Sequence, residues 1–189
     1  LPMTKPIKWI ASFLGLFFVS WLLFGFFGIQ TLFMDTVVDE PTPDTSQTLT
    51  QPMAADTATV PTDSTTSAPP SPRLIAEGNF QQGDSTYTIK GKATITEQDG
   101  LRTVSLTNFD VTNGPDLFVY IVSAADAKNP TVKQAVGEKR FVNLGTLKGN
   151  RGNQTYTIPA DVELNDQSIV TIWCKRFSRN FGAASLQIR

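Results

Sequence analysis

The 189-residue chain holds 16 basic and 17 acidic residues, no His and a single Cys, a composition that removes Ser-His-Asp and Cys-His nucleophile pairs, His-ligated haem, the usual zinc sites and any disulfide within one chain. Charge is unevenly spread: residues 35–72 carry six acids and no Lys or Arg, whereas residues 74–189 carry thirteen basic and eleven acidic residues. That second balance, thirteen minus eleven, is dispersed and lacks the clustered basic stripe a phosphate backbone demands, so no nucleic-acid partner is expected.

The opening Leu1-Pro2-Met3 suggests initiation at Met3 or at a non-standard codon. Between Trp9 and Met34 lie 26 residues without a formal charge, interrupted only by Ser12, Ser20, Gln30 and Thr31. About 20 apolar residues suffice for a helix to cross a bilayer. A cleaved signal peptide would show an apolar region of about 7 to 15 residues and a small-x-small site, and the segment has neither. Lys5 and Lys8 precede the span while Asp35, Asp39 and Glu40 follow it, and the basic flank of a span stays in the cytoplasm. Residues 1–34 are therefore predicted to be a cytoplasmic stub and a transmembrane helix, with everything after them periplasmic or extracellular.

Residues 35–73 form the next zone. Up to Pro72 they contain seven Pro, fourteen Ser or Thr, no Gly and no aromatic residue, a composition unable to bury a core. The prediction is a disordered tether reaching roughly 35 Å as a flexible coil and about 120 Å if its Pro-rich stretches stay extended.

From residue 74 onward the texture changes to short runs rich in Val, Ile, Thr, Tyr and Phe, punctuated by Gly, Pro, Asn-Gly and Asp-Gly. Eight strands are predicted, over residues 74–80, 87–97, 103–109, 117–123, 140–147, 155–158, 169–175 and 183–188. Asp99-Gly100 is a two-residue hairpin signal requiring positive φ, and residues 124–139 read as a long loop with a helical turn. The fold class predicted for residues 74–189 is all-β, a β-sandwich or flattened barrel of about eight mainly antiparallel strands.

Three stretches of this region carry a recognisable pattern. The first is Asn108-Phe109 through Asn113-Gly114-Pro115-Asp116-Leu117-Phe118-Val119-Tyr120. The second is Leu144-Gly145-Thr146-Leu147-Lys148-Gly149-Asn150, running on to Gln154-Thr155-Tyr156-Thr157-Ile158-Pro159. The third is Trp173-Cys174-Lys175-Arg176-Phe177 with Phe181-Gly182-Ala183-Ala184. In order and spacing these resemble the DM13 family, known as an electron-transfer domain, across essentially all of residues 74–189. The resemblance implies a small β domain at the cell surface with a redox role for the Cys at position 174, and it marks Gly114, Pro115, Asp116, Trp173, Phe177, Phe181 and Gly182 as motif positions.

Strand alternation places Cys174 on one face with Val170 and Ile172, and Trp173 on the other with Ile169 and Thr171. Two readings of the sulfur stand side by side. A free Cys is among the most buried residue types, which makes it a small core residue. Alternatively Lys175 and Arg176, with Arg179 nearby, stabilise the thiolate and lower its pKa. A reactive lone thiol cannot finish a dithiol cycle unaided, so the redox reading requires a protein partner for thiol or electron exchange.

The sequence requires no cofactor and names none. A blue-copper site would lack both His ligands, haem through Cys174 alone has no further support, and no metal ligand set is visible. Asn113-Gly114-Pro115-Asp116 reads as a turn, with Asp116 facing Arg176 or Lys148 as an expectation for the structure. Lys148-Gly149-Asn150-Arg151-Gly152-Asn153-Gln154 lacks the Gly-Lys-Ser/Thr ending and following helix of a phosphate loop and reads as a polar hairpin loop. Phe177, Phe181, Tyr120, Tyr156 and Trp173 are expected in the core. Two functions follow: a membrane-anchored redox module that uses Cys174 with an external partner, or a non-catalytic binding or structural module with Cys174 in the core. No catalytic constellation supports an independent hydrolase or transferase.

Overall fold

The structure, a computed structural model, describes residues 5–22, 25, 35–42 and 71–189. Near the N-terminus α1 (Lys5–Trp21) is a 17-residue helix, about 25 Å long at 1.5 Å per residue. Among the described residues no helix is long and apolar enough to cross a membrane. Residues 23, 24 and 26–34 of the predicted span lie outside the described residues, as do residues 43–70 of the predicted tether.

The tether prediction is corrected at both ends. Its first residues form a short strand, β1 (Val37–Asp39), and its last, Arg73, opens β2 (Arg73–Asn79). A composition too polar to build a core can still add a strand to one, because backbone hydrogen bonds and salt links need no apolar side chains.

The strands that follow are β3 (Gln81–Gln82), β4 (Ile89–Gln98), β5 (Leu101–Val111) and β6 (Leu117–Ser123). Then come α2 (Asn129–Gly137), β7 (Phe141–Thr146), β8 (Arg151–Ile158), β9 (Ser168–Cys174), β10 (Arg179–Ser185) and β11 (Gln187–Ile188). They build an open sandwich rather than a barrel: one sheet runs β1-β8-β5-β4-β2-β11 and the other β3-β10-β9-β6-β7. Every pairing is antiparallel except β1 with β8, which is parallel.

The β4–β5 hairpin turns at Asp99-Gly100, whose φ values of 52° and 77° are those a two-residue turn of the predicted kind needs. The run predicted as one strand over 183–188 is two, because the chain leaves one sheet after Ser185 and joins β2 of the other at Gln187. The long loop contains a full helix, α2, begun by Pro130 in its first turn and anchored by buried Val132 and Ala135.

Alternating side chains from both sheets fill the space between them. Ala93, Ile95, Val104, Leu106, Phe109, Val119, Ile121, Tyr156, Val170, Ile172 and Cys174 all belong to this core. A second cluster lies on the outer face of β6 and β9, where Tyr120, Ile169 and Trp173 pack with Val132 and Ala135 of α2. Thus β9 is buried on both faces, which explains why its sequence is almost continuously apolar. Asp84 ties α2 to the sandwich by accepting hydrogen bonds from Asn129 Nδ2 and Lys133 Nζ, both at 2.7 Å.

Candidate functional site

Cys174 closes β9 at one end of the sandwich, on the face shared with Val170 and Ile172, as alternation predicts. Two turns cap it. Residues 113–116 lead into β6, whose first residue, Leu117, pairs with Cys174, and residues 175–178 lead into β10. The turns are stitched together by Lys175 N–H, which donates to the Asp116 carbonyl at 3.0 Å. The Cys174 thiol donates to the Pro115 carbonyl at 3.1 Å.

The residue has no solvent-exposed surface. Burial pushes its thiol pKa up, and the charge of Asp116 adds to the rise; backbone N–H groups of Phe177 and Arg176 bonded to the sulfur, and the Arg176 charge, oppose it without reversing it. The charge of Arg176 thus acts in the direction expected from the sequence, but burial outweighs it and the net shift of the thiol is upward. Two of the three neighbouring cations are engaged elsewhere. Lys175 Nζ lies 5.5 Å from the centroid of the Phe118 ring, and Arg179 approaches Asp84 at 4.0 Å.

The motif residues divide by role. Gly114 gives way to an aromatic ring: a Cβ there would sit 2.6 Å from Phe181 Cζ and 2.8 Å from Cε1. Phe181 is 2% exposed and stacks on Tyr87 with centroids 3.7 Å apart. Gly182 likewise makes room for the Ile89 side chain. Trp173 belongs to the outer cluster under α2 with Tyr120, on the opposite face from the sulfur. Phe177 is 53% exposed, a correction to its expected place in the core, because it occupies the tip of a turn. Asp116 is exposed and joins the site through its backbone, while Lys148, one of its expected partners, pairs with Glu40 at 2.7 Å.

A cavity of about 340 Å³ lies beside the first turn, lined by Asn113, Gly114, Asp116, Leu117, Lys148 and Asn150 among others. Residues 148–150, predicted as part of a hairpin loop, instead cross from β7 in one sheet to β8 in the other, and residues 151–154 of that predicted loop belong to β8. Buried Gln154 and Tyr156 hold this crossover. Gln154 Oε1 accepts the Tyr156 hydroxyl at 2.7 Å and the Lys148 amide at 3.2 Å, while Gln154 Nε2 donates to the Gly149 carbonyl at 2.9 Å. Among the described residues no group of three or more His, Cys, Asp or Glu side chains is disposed to hold a metal ion.

A family model described as Electron transfer DM13 matches residues 79–186. The chain belongs to the DM13 family. No curated protein and no solved structure matches it. The DM13 match takes in Cys174, both turns that cap it and the crossover with Gln154 and Tyr156, and it begins beyond β1. The contacts that Asp35, Thr36 and Glu40 make with the domain went unread in the sequence, where the only signal was a cluster of three acids and, far downstream, a basic, Gly-rich stretch of residues 148–153.

Proposed function

We propose that this chain is a membrane-anchored, periplasmic or extracellular electron-transfer module whose one thiol is masked in the resting fold and works with an external protein partner. The observation that carries this reading is the seat of Cys174 Sγ between the two turns, where the thiol donates to the Pro115 carbonyl and the Phe177 and Arg176 backbone N–H groups favour the thiolate. A sulfur that only fills space needs no such donors. Once the turns open and the proton leaves, the same N–H groups would meet a thiolate. That thiolate would attack a partner disulfide: the new S–S bond to Cys174 forms as the partner's breaks, and the released partner sulfur takes up the proton. A second partner thiol then frees Cys174.

Anchoring is supported by α1, where Trp9, Ile10, Phe13, Leu14, Phe17 and Phe18 are each more than half exposed, since a helix apolar on every side suits lipid rather than water. The uncharged stretch that continues to Met34 supplies the remaining length.

The complete burial of Cys174 favours a second reading, a non-catalytic binding or structural module with the sulfur as packing. Thiol alkylation of the full chain in detergent micelles between pH 7 and 10 separates the two. The redox reading expects complete but slow labelling of the native protein, its rate rising about tenfold per pH unit below the thiol pKa. Labelling that occurs only after denaturation would establish Cys174 as packing.

A further inference from the structure

We infer that the outer edge of β8, with Lys148, Asn150, Arg151, Asn153 and Thr155, is a recognition site for an extended acidic strand, and that its occupant is this chain's own residues 35–40. The inference is independent of the redox reading. The backbone register is parallel, with Val37, Val38 and Asp39 opposite Arg151, Gly152 and Asn153. Arg151 N–H donates to the Thr36 carbonyl at 3.3 Å and Glu40 N–H to the Asn153 carbonyl at 2.9 Å.

Each of the three acids in the segment meets its own donors. Asp35 accepts from Asn150 Nδ2 at 2.9 Å and from Asn113 Nδ2 at 3.0 Å, and pairs with Arg151 at 2.7 Å. Asp39 accepts from Asn153 Nδ2 at 3.0 Å. Glu40 takes Lys148 Nζ at 2.7 Å and both the N–H and the hydroxyl of Thr155 at 2.8 Å. Asn150, only 5% exposed, also turns its Oδ1 to the Thr36 N–H at 2.6 Å. Main-chain bonds of this kind supply affinity in strand addition, and side-chain contacts supply selectivity.

The edge is also shaped for a close backbone approach. A Cβ on Gly149 would stand 2.5 Å from the Thr36 carbonyl oxygen, and one on Gly152, at φ +95°, would overlap the Val38 carbonyl. Sheet edges left bare invite pairing with other chains, and here the chain covers its own. Only 32 residues of sequence separate Glu40 from Arg73, and a covalently linked segment meets its site at an effective concentration of roughly millimolar. A cis occupant therefore outcompetes a second copy at ordinary protein concentrations. If the membrane reading also holds, docking keeps the β domain directly after the span, and release adds the full tether to its reach.

Hydrogen–deuterium exchange of the full chain in detergent micelles, at neutral pH and low salt, tests the docking. The peptide covering residues 35–42 is expected to exchange at least about tenfold more slowly than an unstructured reference. Lys148→Glu with Arg151→Glu should abolish that protection while β6 and β9 stay protected. Asp35→Asn with Glu40→Gln, which alters only the added segment, should do the same. Unprotected exchange of 35–42 in the wild type would overturn the inference, as would protection unchanged in Asp35→Asn/Glu40→Gln. Protection that fades on dilution would overturn the cis assignment in favour of a second copy. None of these outcomes depends on whether α1 enters a membrane, which alkaline extraction reports separately.

Discussion

Replacing Gly114 with Ala places a methyl group where Phe181 already stands. The added carbon would sit 2.6 Å and 2.8 Å from two ring carbons and 3.3 Å from Leu117 Cδ2, against a carbon–carbon optimum of about 3.5 to 4.0 Å. The ring must therefore move by about 1 Å, and it is not free to do so, because it is 2% exposed and stacked 3.7 Å from Tyr87. Overpacking of this kind costs about 1 to 3 kcal/mol. For a domain of this size that corresponds to a fall in Tm of about 3 to 15 °C. Urea denaturation of wild type, Gly114→Ala, Phe181→Leu and the double variant would measure it. The smaller, more adaptable Leu side chain should accommodate the methyl group, so the double variant is expected to be more stable than the sum of the single losses by at least about 0.5 kcal/mol. Strict additivity, or a Gly114→Ala loss below about 0.5 kcal/mol, would refute the packing account of this motif position.

Tyr156→Phe removes the hydroxyl that donates to buried Gln154 and accepts from the Lys148 amide; those two groups still bond each other, so the loss should be that of an ordinary hydrogen bond, about 0.5 to 1.5 kcal/mol. Because burial pushes the Tyr156 phenol up to about 12 while an unfolded phenol titrates near 10, this difference should hold from pH 6 to about 9 and shrink as pH rises from 10 toward 12 in denaturant titrations. For Asp84, burial alone would raise the carboxyl, but hydrogen bonds from Lys133 and Asn129 hold it below the usual range. Its stabilisation is then fully present above the unfolded value of about 3.9 and lost as pH falls through the lower folded value. Melting curves should accordingly show wild type and Asp84→Asn converging below pH 4. Gly100→Ala meets no atom within 4 Å but requires Ala at φ +77°, so a loss of about 1 kcal/mol with unchanged core exchange is expected.

Features set by short-range periodicity were legible in the sequence. The alternation that puts Cys174 with Val170 and Ile172, the Asp99-Gly100 turn and the full extent of β6 all depend on local backbone preference. Features that depend on what comes near in space were not. Lys175 and Arg176 adjoin Cys174 in sequence, yet the energy of a thiol is governed by solvent exclusion, which only the packing of both turns reveals. Exposed Phe177 and buried Phe181 look alike as letters, and their difference comes from one lying on a turn tip and the other in β10. The opening of the acidic tether was misread because average composition hides an ordered arrangement of Asp35, Asp39 and Glu40 that only a partner 110 residues away makes meaningful.

The turn that masks the thiol and the segment that docks on β8 share a wall. Asn113 bonds Asp35, while Pro115, two residues later, receives the Cys174 thiol. Undocking residues 35–40 removes a charge-assisted hydrogen bond from the front of that turn, and a bond of this kind at a partly exposed site contributes about 0.5 to 1.5 kcal/mol. If opening of the turn gates access to sulfur, its population should rise about 2- to 12-fold. Alkylation of Cys174 at pH 8 should then run faster by that factor in Asp35→Asn/Glu40→Gln than in wild type. Glu40 gives the same coupling a pH signature. Its carboxyl is held below the usual range by Lys148 and Thr155, so docking should persist to about pH 4 and weaken below it. Equal labelling rates in the two proteins would show that the strand site and the thiol are independent, even with both intact.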